Sequence, residues 1–282
     1  MTDFLTYKGK RVVVTGCYSG MSEAAARLLI SLGAEVHGLD RQTSKLDLAS
    51  FTHTDLRDPV SIDAAANAID GNIDALFNCA GVGSSFAPLD VFKVNYVGPR
   101  RLTDLFLPRI ASGGAIACIA STAGFSWARL MEQTKHLVGL STYAEAVAWW
   151  ESEVPPGQDA YTLSKEAIIV WTLLSSASLI KRGVRMNCIL PGPTQTPFME
   201  VQSKSRLAQS STPSRNRLDA AQRQMSRLRH SSSSTARRRV MSTASRFRLT
   251  AALSARSLAA RSISRNFLAA VRPSAATRSL ER

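Results

Sequence analysis

The first 190 residues alternate between two hydrophobic rhythms. Short runs dense in Val, Ile, Leu and Ala read as strands: "RVVVTG" (11–16), "EVHGLD" (35–40), "FTHTD" (51–55), "IDALFNCAG" (73–81), "GAIACIAS" (114–121) and "VRMNCIL" (184–190). Between them, apolar positions recur at helical spacing. "SEAAARLLISLGA" (22–34) stops at Gly33, and residues 59–69, 89–110 and 160–181 carry the same period. Several strands are apolar on both faces, the signature of a sheet covered on both sides. Strands alternating with helices in this way predict a doubly wound α/β domain of the Rossmann kind, built on a parallel sheet.

The rhythm ends near Glu200, and the composition changes with it. Residues 1–200 hold 17 Lys and Arg against 19 Asp and Glu, whereas residues 201–282 hold 18 against only Asp219 and Glu281. All 16 glycines, and every Trp and Tyr, precede residue 201; 18 serines follow it. The formal net charge of +14 therefore belongs to the last 82 residues and not to the patterned domain. The pattern predicts a domain over 1–200 and a disordered basic extension over 201–282. Such an arm would attract nucleic-acid phosphates, but Phe247 and Phe267 are its only aromatic residues for stacking on bases. A nucleic-acid partner is disfavoured. An out-of-frame ending of a GC-rich gene accounts for the unpatterned Arg, Ser and Ala better than an evolved arm does.

Other classes are excluded more simply. Cys17, Cys79, Cys118 and Cys188 are widely spaced, with no C-x-x-C pair and no histidine cluster, so neither a metal site nor a disulfide framework is expected. There is no apolar signal core and no run of 18 apolar residues. A cytoplasmic protein without a membrane span is the expectation.

Candidate chemistry lies at two places. The loop "TGCYSGMS", with Thr15, Gly16, Ser19, Gly20 and Met21, directly follows the first strand and opens a helix. Glycine there lets backbone approach a pyrophosphate, whose charge is met by free N–H groups at the helix N-terminus. Asp40 closes the second strand, where a carboxylate can take ribose hydroxyls and repel a 2′-phosphate; Arg41 beside it pulls the other way. At the second place, "YTLSK" sets Tyr161 and Lys165 one helical turn apart. A phenol with an ordinary pKa of about 10 is a poor base at neutral pH, and a neighbouring ammonium lowers it. Ser121 ends the fifth strand and Asn95 lies on the long helical stretch before it.

Together these motifs resemble the short-chain dehydrogenase/reductase family. The matching residues are Thr15, Gly16 and Gly20 of the glycine loop, Asp55-Leu56, Asn78-Cys79-Ala80-Gly81, and Asn95, Ser121, Tyr161 and Lys165 in that order; "PGPTQTP" (191–197) completes the set. Ser22 stands where a third glycine is usual. The resemblance implies that Asp55 and Leu56 hold an adenine, and that Asn78 to Gly81 line the cofactor path. It implies Tyr161 as acid/base, Ser121 as orienter of the substrate oxygen, Lys165 as the group that lowers the Tyr161 pKa and grips the nicotinamide ribose, and Asn95 as holder of a relay water. Thr194 and Thr196 would bind the nicotinamide carboxamide. The implied reaction is hydride transfer between NAD, with NADP the lesser choice, and an alcohol. Homo-oligomers are typical of the family. The family's substrate lid, further helix and last strand have no counterpart in 201–282, which puts assembly and activity in question.

Ser121 and Tyr161 are 40 residues apart, farther than is usual in the family. The insertion, residues 125–160, carries Trp127, Trp149 and Trp150, read either as a wall for a flat apolar alcohol or as packing. It resembles two branches, coniferyl-alcohol dehydrogenases first and bacterial 3α-hydroxysteroid dehydrogenases second. An aryl-allylic alcohol is the first expected substrate and a hydroxysteroid the alternative; a third reading is an inactive chain with an aberrant tail.

Overall fold

The computed structural model describes residues 6–154 and 156–194. Thr196 and the basic extension lie outside these residues. Six strands form one parallel sheet: β1 (Arg11–Thr15), β2 (Glu35–Asp40), β3 (Ser50–His53), β4 (Ile73–Asn78), β5 (Ile110–Ile119) and β6 (Arg185–Ile189). Their order is β3-β2-β1-β4-β5-β6. This is the doubly wound arrangement that the alternating pattern predicts. The order reverses between β1 and β4, and in such sheets a crevice opens beyond the strand C-termini at that switch point.

The reason for the continuous apolar strands is visible in β1. Val12, Val13 and Val14 are all fully buried. Val13 joins one core with Leu39, Leu76 and Ile116, while Val12 and Val14 join the other with Val36, Phe77 and Ala117. Period-2 side chains thus feed two cores, one on each face. Helix α1 (Gly20–Ser31) covers one face through Ala25, Ala26 and Leu29. On the other face lie α2 (Pro59–Asn67), α3 (Pro88–Phe92), α4 (Gly98–Phe106) and α7 (Ala160–Leu179).

Two boundaries depart from the pattern for physical reasons. β5 starts at Ile110, not 114, because its register against β4 shifts between Ile73 and Ala75. Ser112, Gly113 and Gly114 lie in that irregularity. The long helix expected over 89–110 is α3 and α4 joined by a π turn, Lys93–Val97. Pro99 has no N–H for the Asn95 carbonyl four residues back, so the helix widens there.

The insertion forms a 3₁₀ turn (Thr122–Ala128) followed by α5 (Met131–Gly139) and α6 (Tyr143–Glu153). Thr142 and Glu145 form a reciprocal capping box at the start of α6. Trp149 is 3% exposed and lies 6.2 Å from Phe92, and Trp150 stacks on the same ring at 4.7 Å. The packing reading of these tryptophans holds, and Trp127 joins the same core at its edge. One stretch, Ala160–Arg182, is long and apolar enough to cross a membrane, although it holds no unbroken run of 18 apolar residues. It is the central helix of this core, with 61% of its apolar window buried.

Candidate active site

A cleft of about 850 Å³ runs across the C-terminal ends of β1, β2, β4 and β5. At one end the glycine loop forms its floor. Gly16 has φ +79, and a Cβ there would stand 2.7 Å from Ala80 Cα, so only glycine lets the loop lie against the end of β4. Thr15 Oγ1 accepts from the amides of Cys79 and Ala80, both at 3.0 Å, and ties β1 to the same segment. Ser19 caps α1 without a side-chain hydrogen bond, and the first-turn residues Gly20, Met21 and Ser22 line the cleft. Ser22, in place of a glycine, is 6% exposed and donates to the Cys79 carbonyl at 3.0 Å. It adds a tether between α1 and the segment after β4.

Asp40 lines the cleft and its carboxylate accepts from Tyr18 N and Gln42 N, each at 2.9 Å. Arg41 is turned toward Asp55, Nε to Oδ2 at 3.6 Å. Two predicted residues face elsewhere. The Asp55 carboxylate is gripped by Arg57, which holds it below the usual carboxylate range, while Thr54 and Leu56 line the cleft. Asn78 donates to Thr103 Oγ1 at 2.8 Å inside the protein, while Cys79, Ala80 and Gly81 line the cleft. In both cases the implied family position is present but its side chain serves the fold.

At the other end, Tyr161 opens α7, one residue past its start, because Asp159 caps that helix by accepting from Tyr161 N and Thr162 N. Tyr161 and Ser121 both line this end of the cleft, with the Ser121 hydroxyl near enough to the phenol to pull its pKa down. Lys165 Nζ lies 5.7 Å from the Tyr161 ring centroid and donates to the Ile119 carbonyl at 2.8 Å. Burial lowers the Lys165 pKa to about 8, so its charge is partial near neutral to mildly basic pH. The Tyr161 phenol sits above its ordinary pKa, raised first by burial and then by Asp159, with the Ser121 hydrogen bond pulling it down. Lys165 Nζ is thus anchored at the end of β5, beside the Tyr161 ring. Asn95, 1% exposed in the π turn, cross-links the walls: it accepts from Val82 N at 2.8 Å and donates to Val82 O at 3.0 Å and Ser164 Oγ at 3.2 Å. Thr194 lies at the rim of the same cleft.

Asp159 and Phe86 also line the cleft and were not anticipated. Asp159 had a signal, an N-cap residue directly before a helical run; Phe86 lies in an irregular loop with none. Behind Lys165, Glu166 is 1% exposed and its Oε2 has no partner among the described residues. Burial, then Asp159, raises its pKa from 4.5 to about 7. The folded state therefore binds this proton more tightly than the unfolded chain, and stability from this group is full below pH 4.5 and lost as pH rises through about 7. Thermal melts across that range should show wild type losing ground to Glu166→Gln as pH increases; parallel curves would rule out this assignment.

The family described as enoyl-(acyl carrier protein) reductase, a division of the short-chain dehydrogenases, matches residues 16–224. The chain belongs to the short-chain dehydrogenase/reductase family. It is 39% identical over 191 residues to a coniferyl-alcohol dehydrogenase of Pseudomonas sp. strain HR199, covering 67% of this chain and 75% of that one. It is 30% identical over 193 residues to a 3α-hydroxysteroid dehydrogenase/carbonyl reductase of Comamonas testosteroni, covering 67% and 74%. Among solved structures, the 3α-hydroxysteroid dehydrogenase of Pseudomonas sp. B-0831, complexed with NADH, superposes with a TM-score of 0.57 at 30% identity, covering 68% of this chain and 76% of that one. The chain is thus an oxidoreductase of the family that interconverts alcohols and carbonyls, with an alpha/beta dinucleotide fold.

Proposed function

We propose that this protein is an NAD-dependent alcohol dehydrogenase that oxidises aryl-allylic alcohols of the coniferyl type. The observation that carries the reading is that Ser121, Tyr161 and Lys165 line one end of a cleft that has the glycine loop and Asp40 at the other, with Lys165 Nζ 5.7 Å from the Tyr161 ring. A dinucleotide fits the residues present. Gly16 lets the loop lie against Ala80, where a Cβ would collide, and Gly81 keeps the cleft wall beside Asn95 and Lys165 free of a side chain. The α1 amides would meet the pyrophosphate, Asp40 the ribose hydroxyls, Leu56 the adenine, and Lys165 and Thr194 the nicotinamide end. Asp40 disfavours a 2′-phosphate, and Arg41 is engaged by Asp55, which supports NAD over NADP.

The nicotinamide ring, when bound, supplies the hydride acceptor for alcohol oxidation. Ser121 holds the substrate oxygen by a hydrogen bond. Tyr161 takes the hydroxyl proton at its phenolic oxygen as the C–H hydride leaves, and returns it in the reverse direction. Burial raises the phenol pKa, which favours carbonyl reduction at lower pH and alcohol oxidation at higher pH. Asn95 keeps the Val82 loop fixed to α7 so that the two walls hold their spacing.

Val82, Phe86 and Val94 give the cleft apolar lining suited to a hydrocarbon-rich alcohol. The 39% identity to a coniferyl-alcohol dehydrogenase supports the aryl-allylic class. The 30% identity to hydroxysteroid enzymes supports a second reading, a 3α-hydroxysteroid. Four free cysteines support a reducing, cytoplasmic setting. The test is NADH formation from coniferyl and cinnamyl alcohols against 3α-hydroxysteroids, each with NAD and with NADP. Higher kcat/KM for the aryl alcohols with NAD is expected; preference for the steroids moves the assignment to the second reading, and preference for NADP removes the role given to Asp40.

A further inference from the structure

The tryptophans of the insertion pack on Phe92, yet another of its side chains reaches the turn that follows β3. Tyr143, the first residue of α6 and 9% exposed, donates its hydroxyl to the Arg57 carbonyl at 2.5 Å. Arg57 directly follows Leu56 in the turn between β3 and α2. Its guanidinium forks onto Asp55, Nε at 3.0 Å and Nη2 at 2.6 Å, and reaches Asp90 of α3 at 3.1 Å. One residue is thus fixed at both ends, its side chain by Asp55 and Asp90 and its carbonyl by the insertion. Helix α4 closes on the same turn: a Cβ at Gly98 would collide with the Leu56 carbonyl. Thr54 and Leu56 of this turn line the cleft.

A nearly buried hydroxyl aimed at a backbone carbonyl fixes the position of that carbonyl without touching ligand. We propose that Tyr143 is a positioning residue for the adenine side of the cleft, holding the Asp55–Leu56 turn through Arg57. The insertion then acts as a strut between the outer helices and the cofactor site. The inference rests on the dinucleotide reading of the cleft given above. Tyr143 has this role because the turn carries the cleft-lining Leu56, and loss of the hydroxyl lets that turn relax while the ring still packs.

The experiment uses the full chain and Tyr143→Phe, with the exposed Glu151→Gln on the same helix as control. NADH dissociation constants are read by fluorescence titration, and AMP is titrated in competition. Tyr143→Phe should weaken both ligands about 3- to 10-fold, the effect of one partly buried hydrogen bond. KM for NAD should rise by the same factor with kcat at saturating NAD unchanged, and Glu151→Gln should match wild type. A packing role alone would lower the melting temperature of Tyr143→Phe without moving either affinity, and that result overturns the proposal. If wild type binds and the variant binds equally tightly, the role of Tyr143 fails alone. If wild type itself does not bind NADH, the dinucleotide reading falls and the proposal with it.

Discussion

Tyr161→Phe is expected to lower kcat for alcohol oxidation by roughly 10²- to 10⁴-fold, the usual contribution of a positioned acid/base group. NADH affinity and melting temperature should stay close to wild type, because the ring keeps its place at the start of α7 and Asp159 caps the helix through backbone amides. The pH profile carries a second signature. The phenol is raised by burial and by Asp159, so wild-type oxidation should climb with pH as the phenolate forms. The residual activity of the variant should lack that limb. A variant that keeps both its rate and its pH profile would remove Tyr161 from the chemistry. Ser121→Ala should shift the limb to higher pH, since the hydrogen bond it removes is the influence that pulls the phenol down.

Gly16→Val is expected to weaken NADH binding about a hundredfold. Two effects combine: a branched residue forced to positive φ, at roughly 1–3 kcal/mol, and overpacking against Ala80, at a similar cost. Gly16→Ala should fall between the two proteins, since it keeps the contact but carries less bulk. Circular dichroism separates loss of the site from loss of the fold. A folded Gly16→Val that binds NADH as wild type does would mean that the loop is not the pyrophosphate site.

The fold was legible because burial on both faces leaves a coarse mark: Val12, Val13 and Val14 are apolar in succession only where two cores need them. Spacing also reached Tyr161 and Lys165, since one helical turn is a local property. Side-chain direction was less accessible. The Asp55 carboxylate and the Asn78 amide turn away from the cleft because Arg57 and Thr103 compete for them, and those partners lie on positions that no local rhythm marks. The tryptophans of the insertion were ambiguous for a related reason. Aromatic side chains at helical spacing mark a buried face, whether protein or ligand covers it, and here Phe92 covers it. Tyr143 reaches the Arg57 carbonyl across 86 residues, a pairing that only the assembled helices define.

Separation of that kind bears on how the protein is made. Thr15 is tied to Cys79, 64 residues on, Asn95 to Ser164 across 69, and Ile119 to Lys165 across 46. A ribosome adding about 5–20 residues per second needs on the order of ten to thirty seconds to travel from Thr15 to Lys165. For the first 64 residues of that interval the glycine loop has no β4 to rest on, and until its end the strand that will hold Ser121 lacks its lysine. Cofactor in the cell can protect this chain only after α7 has been delivered, so the growing chain passes its most vulnerable stage without help from its own ligand.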